Sequence, residues 1–348
     1  MEQTWIEAEP VTGKTHQIRV HAAANGFPIL GDTLYEGTSA ARVYLHAAEI
    51  SFENPSTGKQ ITLTALENFS DDSRLALRTP LIEPELTNAF RLVHGASDGW
   101  PGFYVERLGD FLLSQSEQLL KSEQLELLEN YKRKFSLRGA YHKILNRRVR
   151  QTSTTQVSPQ LVLGESAPEE FVIRENGIQF ALGFNEGYSV GLFLDQRDNR
   201  RRFLTNYIAS DFVVGAICDR RSLEESQRRS RTAAPFEVLN TFSYTCGFSV
   251  CAAKSGATVT SLDLSKKYLE WGKRNFALNG LDPAQHDFIY GDTFDWLKRF
   301  EKKNRQFDAI ILDPPTFSQS KEQGTFRAEK DFGKLVSAAL PFRNSTTS

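Results

Sequence analysis

Glu237-Val238-Leu239-Asn240-Thr241-Phe242-Ser243-Tyr244-Thr245-Cys246-Gly247-Phe248-Ser249-Val250 is a short apolar run that enters a loop of small residues and leaves it in a helical pattern. A second apolar run, Thr258-Val259-Thr260-Ser261-Leu262, ends in Asp263, sixteen residues after Gly247. This is the first half of a doubly wound α/β domain, in which ligands bind where the strands end and the first helix begins. The loop lets a ligand approach the backbone, and an acid at the end of the second strand can accept hydrogen bonds from a ribose diol. The loop holds one glycine, so G-x-G-x-x-G is not met and a dehydrogenase reading weakens.

A third element, Phe307-Asp308-Ala309-Ile310-Ile311-Leu312-Asp313-Pro314-Pro315-Thr316-Phe317, is a buried-strand run that stops at Asp-Pro-Pro. Two consecutive prolines cannot extend a ladder, so the strand ends at the ligand crevice and the next backbone is stiff. Together the three elements resemble the class I S-adenosylmethionine-dependent methyltransferases, which implies a Rossmann-like α/β domain and S-adenosyl-L-methionine as cofactor. The resemblance implies that Thr241 to Gly247, with Phe242, Ser243 and Gly247, wrap the methionine part and that Asp263 holds the ribose. It gives Asp292, with Phe294 nearby, to the adenine amino group and Asp313 to the cofactor's amino group. Pro314, Pro315, Thr316 and Phe317 become the floor under the target base. Methyl transfer from a sulfonium is an in-line displacement that needs positioning and desolvation more than acid–base groups. A missing Ser/His/Asp or metal set is therefore expected.

At 348 residues, 40% hydrophobic and 24% charged, the chain can bury about two or three cores. A net charge of −1 announces no global basic field, so any nucleic-acid surface must be local. Cys218, Cys246 and Cys251 are scattered thiols without C-x-x-C pairing, which argues for a reducing, cytoplasmic setting and against disulfides or zinc. No run approaches membrane length, and the N-terminus shows no signal-peptide pattern.

Residues 1–67 form a separate unit. Thr12-Gly13-Lys14-Thr15-His16-Gln17-Ile18-Arg19-Val20-His21 leaves a turn and enters a helix, and a Pro55–Gly58 turn joins the strand Leu45–Phe52 to Ile61–Thr64 as a hairpin. His16 and His21, five apart, do not stack on one helical face for a metal. With Gly31-Asp32, Tyr35 and Leu45-His46-Ala47, this stretch resembles the C-terminal end of the RluA-type RNA pseudouridine synthases. That family's catalytic aspartate lies upstream of the matched segment, and Arg19 matches its active-site arginine in kind. The expectation is an incomplete synthase segment, inactive alone unless a longer protein supplies the catalytic part.

Residues 68–84 are polar and interrupted by Pro80 and Pro84, a linker; 85–182 form a small α+β domain with an amphipathic helix at Glu117–Phe135 and strands at Ala140–Leu145 and about 171–182. The run Asn146-Arg147-Arg148-Val149-Arg150 either meets phosphate or is a solvated exit loop. This unit resembles the central domain of the large-subunit ribosomal RNA methyltransferases of the cytosine-C5 type and their guanine-N7 relatives (RlmI/RlmK-like). Residues 183–348 are then the methyltransferase domain. The resemblance lays Asp195, Gln196 and Arg197 over the cofactor, while a local reading makes Asp195 the N-cap of an Arg-rich helix at 196–206. Arg200 and Arg201 put cations near the cleft for RNA phosphate.

Asp219–Arg231 has little apolar content and no period, which reads as an insertion or an RNA-binding arm. After Asp313 come a polar loop, Gln319 to Gly324, and a helix at Ala328–Ala339. About four strands are legible where the resembled sheet has seven, so the reading is a sheet cut at the C-terminus, its edge open to completion by a homodimer. A cytosine-C5 enzyme needs a thiolate to add to C6, and no cysteine follows Cys251. The leading function is methyl transfer to a base of ribosomal RNA; the alternative is an RNA-binding remnant with neither activity. A small-molecule methyltransferase is disfavoured by the two flanking RNA-modification resemblances.

Overall fold

The computed structural model describes residues 4–40, 42–55, 58–65, 75, 78–145, 158–187, 189–205, 207–209, 212–213, 236–320 and 324–342. The basic run 146–150, Cys218, the Arg-rich stretch 219–231 and most of the linker lie outside them. The chain divides into two units, Met1–Ile82 and Glu83–Ser348.

In the first unit, helix α1 spans Gln17–Ala24, and strands β1 (Glu49–Glu53) and β2 (Gln60–Thr64) form the expected hairpin, with Phe52 opposite Ile61. Two of the sequence segments of the synthase resemblance converge here, while His46 of the third meets the Ala65 carbonyl at 3.0 Å. Arg19 donates through Nε and Nη2 to both oxygens of Asp32, at 2.8 and 2.6 Å, and its guanidinium lies 5.0 Å from the Tyr35 ring centroid. The Tyr35 hydroxyl meets His16 Nδ1 at 2.9 Å.

The second unit opens with a five-stranded sheet in the order β3 (Ala89–His94), β4 (Phe103–Leu108), β5 (Phe111–Ser116), β6 (Gly139–Ile144), β7 (Gln160–Gly164). The β5–β6 pair is parallel, because helix α2 (Ser122–Lys134) crosses between them. That helix starts at Ser122 rather than Glu117. The Gln118 carbonyl is taken by the Ser116 hydroxyl and the His142 ring, which holds this stretch out of the helix. A hairpin, β8 (Phe171–Glu175) and β9 (Ile178–Leu182), leads to a tight turn at Leu194–Gln196 and helix α3 (Arg197–Leu204). A short ladder, β10 (Tyr207–Ala209) and β11 (Phe212–Val213), follows.

Next comes a parallel sheet in the order β14 (Asp287–Tyr290), β13 (Thr258–Asp263), β12 (Glu237–Thr241), β15 (Ala309–Leu312). Helices α4 (Gly247–Lys254), α5 (Lys266–Leu278) and α6 (Thr293–Lys302) make the crossovers. Gln319, Ser320 and Gly324, expected in a polar loop, instead belong to the paired strands β16 (Phe317–Ser320) and β17 (Gly324–Arg327), ahead of helix α7 (Ala328–Ala339).

Both faces of the parallel sheet are covered, as parallel sheets require. On one side Leu239 packs with Leu297, Phe300, Phe307, Leu335 and Phe342. On the other, Val238, Val250 and Val259 share one core with Phe180 and Phe184 and with Phe111, Leu113 and Tyr141 of the five-stranded sheet. The Tyr141 and Phe184 rings stack at 4.1 Å. Residue 182 therefore marks a change of topology but no break in packing. Helix α5 adds polar ties. Asn275 accepts from the Ala181 N–H at 2.9 Å and donates to the Thr245 carbonyl at 2.9 Å, and Trp271 Nε1 donates to the Ala181 carbonyl at 3.0 Å. Among the described residues no helix is long and apolar enough to cross a membrane.

Asn275 is fully buried. Asn275→Leu leaves two buried backbone groups without their partner, each costing about 1–3 kcal/mol. Urea unfolding should therefore show a loss of roughly 2 kcal/mol or more, and a loss within 0.5 kcal/mol (the order expected of surface substitutions) would show that the bonds contribute nothing.

Candidate active site

The site lies at the carboxyl end of the parallel sheet. The Thr241 hydroxyl donates to the Ile311 carbonyl at 2.8 Å, locking β12 to β15 where both strands end. The loop that follows places three non-glycine residues, Phe242, Tyr244 and Cys246, in the left-handed region at φ 53, 49 and 62. Such residues cost on the order of 1–3 kcal/mol each and persist only where their surroundings over-determine them. Here Ser243 N–H donates to the Leu262 carbonyl at 3.0 Å and Cys246 N–H to the Ser243 carbonyl at 2.8 Å. The Tyr244 N–H donates to Asp263 Oδ2 at 2.8 Å. The Thr245 hydroxyl donates to the Gly191 carbonyl, joining the loop to the segment before the 194–196 turn. At Gly247, where α4 begins, a Cβ would press on Leu192 at 3.0 Å and Arg200 at 3.4 Å.

Asp263 also accepts from Ser265 N–H through Oδ1 at 2.8 Å. Burial pushes its carboxyl up to about 6, and the hydrogen bonds from the Tyr244, Ser265 and Leu264 amides oppose that rise without cancelling it. Opposite Asp263 in the ladder stands Tyr290, 53% exposed, with Lys266 Nζ 5.0 Å from its ring centroid. Sequence reading assigned this tyrosine no role, although an aromatic closing the strand next to the one that ends in Asp263 was the signal. Asp292 is buried and N-caps α6, its Oδ1 accepting from Phe294 N–H at 2.9 Å and Asp295 N–H at 3.4 Å. The preceding Gly291, at φ 153, has no room for a Cβ against the Trp296 indole.

Asp313 directly follows β15 and is exposed, with Pro314 half-buried and Pro315 exposed after it. Desolvation by the surrounding protein raises its carboxyl, the nearby Asp195 adds to the rise and Arg200 opposes it. Asp195 is thus near enough to act on Asp313 electrostatically. Phe317 opens β16.

The 194–196 turn corrects two expectations. Asp195 does not cap the Arg-rich helix: α3 starts at Arg197, Gln196 stands at the cap position without a side-chain cap bond, and its amide oxygen accepts from Asn199 at 2.7 Å. Arg197 is half-buried beside Asp198. Arg200 is not a surface cation. It is 2% exposed and donates to both oxygens of the buried Glu175, at 2.7 and 2.8 Å, and to the Phe193 carbonyl at 2.8 Å. A helical face that looked basic in sequence turns this one residue inward, where it anchors the turn to β8. Arg201 remains exposed. Arg19, in the other unit, has its guanidinium committed to Asp32. Cys246 and Cys251 are buried thiols, both pushed up to about 12 by burial, so neither is a ready nucleophile.

The family described as S-adenosylmethionine-dependent methyltransferase matches residues 214–341. Ribosomal RNA large subunit methyltransferase I of Aeromonas salmonicida is 31% identical over 334 residues, covering 95% of this chain and 75% of that protein. A ribosomal RNA large subunit methyltransferase of Deinococcus radiodurans is 33% identical over 281 residues, 77% of this chain and 61% of that one. Among solved structures, SMU.776 complexed with SAH superposes with a TM-score of 0.62 at 26% identity, covering 94% of this chain and 82% of that chain.

The left-handed loop leans on α5. A Cβ at Gly272 would overlap Cys246 Sγ and lie 2.9 Å from Cys246 Cβ. Gly272→Ala is expected to destabilise the chain by roughly 1–3 kcal/mol through overpacking. Adding Cys246→Gly, which removes the obstructing side chain and suits φ 62, should restore most of the loss in urea unfolding. Additive effects of the two changes would refute this coupling.

Proposed function

Because the chain belongs to the S-adenosylmethionine-dependent ribosomal RNA large-subunit methyltransferase family, we propose that it moves a methyl group from S-adenosyl-L-methionine to a base of ribosomal RNA. The observation that carries this reading is the Asp263 carboxylate, fixed by the Tyr244 and Ser265 amides at the carboxyl end of the parallel sheet. From there it accepts the ribose hydroxyls, and the exposed Tyr290 ring stacks on the adenine. Asp292, buried beside them, takes the adenine edge while it caps α6. The Phe242–Gly247 loop, with Ser243 at its heart, wraps the methionine part. Asp195, Gln196 and Arg197 close over the cofactor from the 194–196 turn.

The cofactor supplies an electrophilic methyl on a sulfonium. The chain's contribution is placement: Asp313 orients the amino end, and Pro314, Pro315 and Phe317 set the plane of the acceptor base for in-line attack. Arg201 is the exposed cation of this region assigned to the RNA backbone. Residues 1–67 fit the same reading as an RluA-type RNA-facing segment, since the matched parts meet in the His16, Arg19, Asp32 and Tyr35 cluster.

Calorimetry with S-adenosylmethionine tests the site. Asp263→Ala and Asp313→Ala should each weaken binding at least about tenfold, the scale of a lost hydrogen bond to a charged group. Affinity for the native chain should fall as pH drops through about 6, because the protonated Asp263 loses its acceptor strength, and Asp263→Ala should remove that dependence. In the free protein the sign is opposite: folding raises this pKa, so the group's contribution to stability falls as pH rises from about 4 through 6. Transfer of labelled methyl to ribosomal RNA completes the test. A folded chain that binds no S-adenosylmethionine would overturn the proposal.

A further inference from the structure

The five-stranded sheet turns one face toward the methyltransferase half, and that face is apolar at one end and polar at the other. Phe111, Leu113 and Tyr141 enter the shared core. In the rung of Leu113 and Tyr141 the ladder sets Arg91 opposite Glu106, and two residues along it sets His94 opposite Tyr104, Tyr104 opposite Gln115 and Gln115 opposite Lys143. This polar end adjoins the candidate active site, since β3 packs on the 194–196 turn, whose Asp195 acts on both Asp313 and Glu106.

Arg91 is held from several sides. Its Nε and Nη2 donate to Glu106 Oε1 at 3.0 and 2.7 Å, and Nη1 lies 3.2 Å from His94 Nδ1. Its guanidinium sits 5.4 Å from the Tyr104 ring centroid, and the His94 and Tyr104 rings meet edge to face at 5.7 Å. The Arg91 side chain keeps 28% of its surface while Glu106 keeps 8%. Tyr104 is half-buried and His94 exposed. Gly95 makes room for the arrangement, since a Cβ there would lie 3.1 Å from the Tyr104 ring. Lys143 is buried behind the cluster, where the buried Glu106 attracts it.

A planar cation laid beside two aromatic rings, partly open to solvent and pre-organised by a buried acid, suits an unpaired nucleobase and its phosphate. Single-stranded RNA is recognised by stacking on such planes. We propose that Arg91, His94 and Tyr104 form a stacking site for a nucleotide flanking the methylated base, with Glu106 as the residue that positions Arg91. This rests on the RNA methyltransferase reading for its substrate. It adds the surface that receives the strand, on the sheet that packs against the 194–196 turn.

The test uses the full chain and a single-stranded oligoribonucleotide carrying 2-aminopurine, whose fluorescence is quenched on stacking. Affinity is read by anisotropy, and S-adenosylmethionine binding is measured on the same preparations. Arg91→Ala and Tyr104→Ala should each weaken RNA binding about five- to 150-fold, corresponding to the roughly 1–3 kcal/mol of one base stack, and should lose the quenching. Tyr104→Phe should keep both. Glu106→Gln should reduce the quenching with Arg91 still present, an effect that lost stability alone would not produce in a folded protein. All four variants should bind S-adenosylmethionine as the native chain does. Absence of RNA binding or quenching in the native chain, or variants indistinguishable from it, overturns the stacking site. Stacking without S-adenosylmethionine binding would instead retire the methyltransferase reading and leave the stacking site standing.

Discussion

The hydrogen bond from the Tyr244 amide to Asp263 is the constraint on which the cofactor end of the fold depends. It connects the end of β13 to the middle of a loop that three left-handed residues would otherwise make costly. The loop is also tied to β13 through Ser243, to α5 through Asn275 and to the segment before α3 through Thr245. Three separate elements, β13 twice over, therefore hold one irregular backbone. The same carboxylate that fixes the loop is held at the carboxyl end of the sheet with a raised proton affinity, so one residue links the shape of the site to its charge.

A second constraint works on the opposite rim. Arg200 and Glu175 form a buried, bidentate pair, and Arg200 also holds the Phe193 carbonyl. Removing one partner of such a pair leaves an uncompensated buried charge, at a cost of about 3–5 kcal/mol. The pair sets where the 194–196 turn, with Asp195, stands relative to β8. Electrostatics thus fixes the rim while apolar packing fixes the floor.

The parallel sheet was legible because its signals are local. The apolar runs ending in Thr241, Asp263 and Asp313 became three of its four strands, and helix α7 falls on the residues expected. The carboxyl-end grouping of Asp263, Asp292 and Asp313 follows from that topology. The rest depended on partners distant in sequence. Nothing in Arg197–Arg202 shows that Arg200 meets Glu175, twenty-five residues earlier, and its basic neighbours made an outward reading natural. Likewise, Asp292 offered an acid at a strand end, and only the following helix shows that it is also a cap. The Arg91 cluster was hidden because its members come from two strands and gain meaning only through register.

The continuous core from Tyr141 through Phe184 to Val250 bears on how this chain could be recombined. Exchange of modules between relatives succeeds where few contacts cross the cut. A crossover near residue 182 would sever stacked rings and the amide ties of Asn275 and Asn279 to β9, whereas one near residue 82 respects the division of the chain. The small sheet and the methyltransferase sheet are thus inherited as a single exchangeable block. Within such a block the sheet that carries Arg91 and Tyr104 stays with the parallel sheet, so variation of either comes from point substitutions rather than exchange.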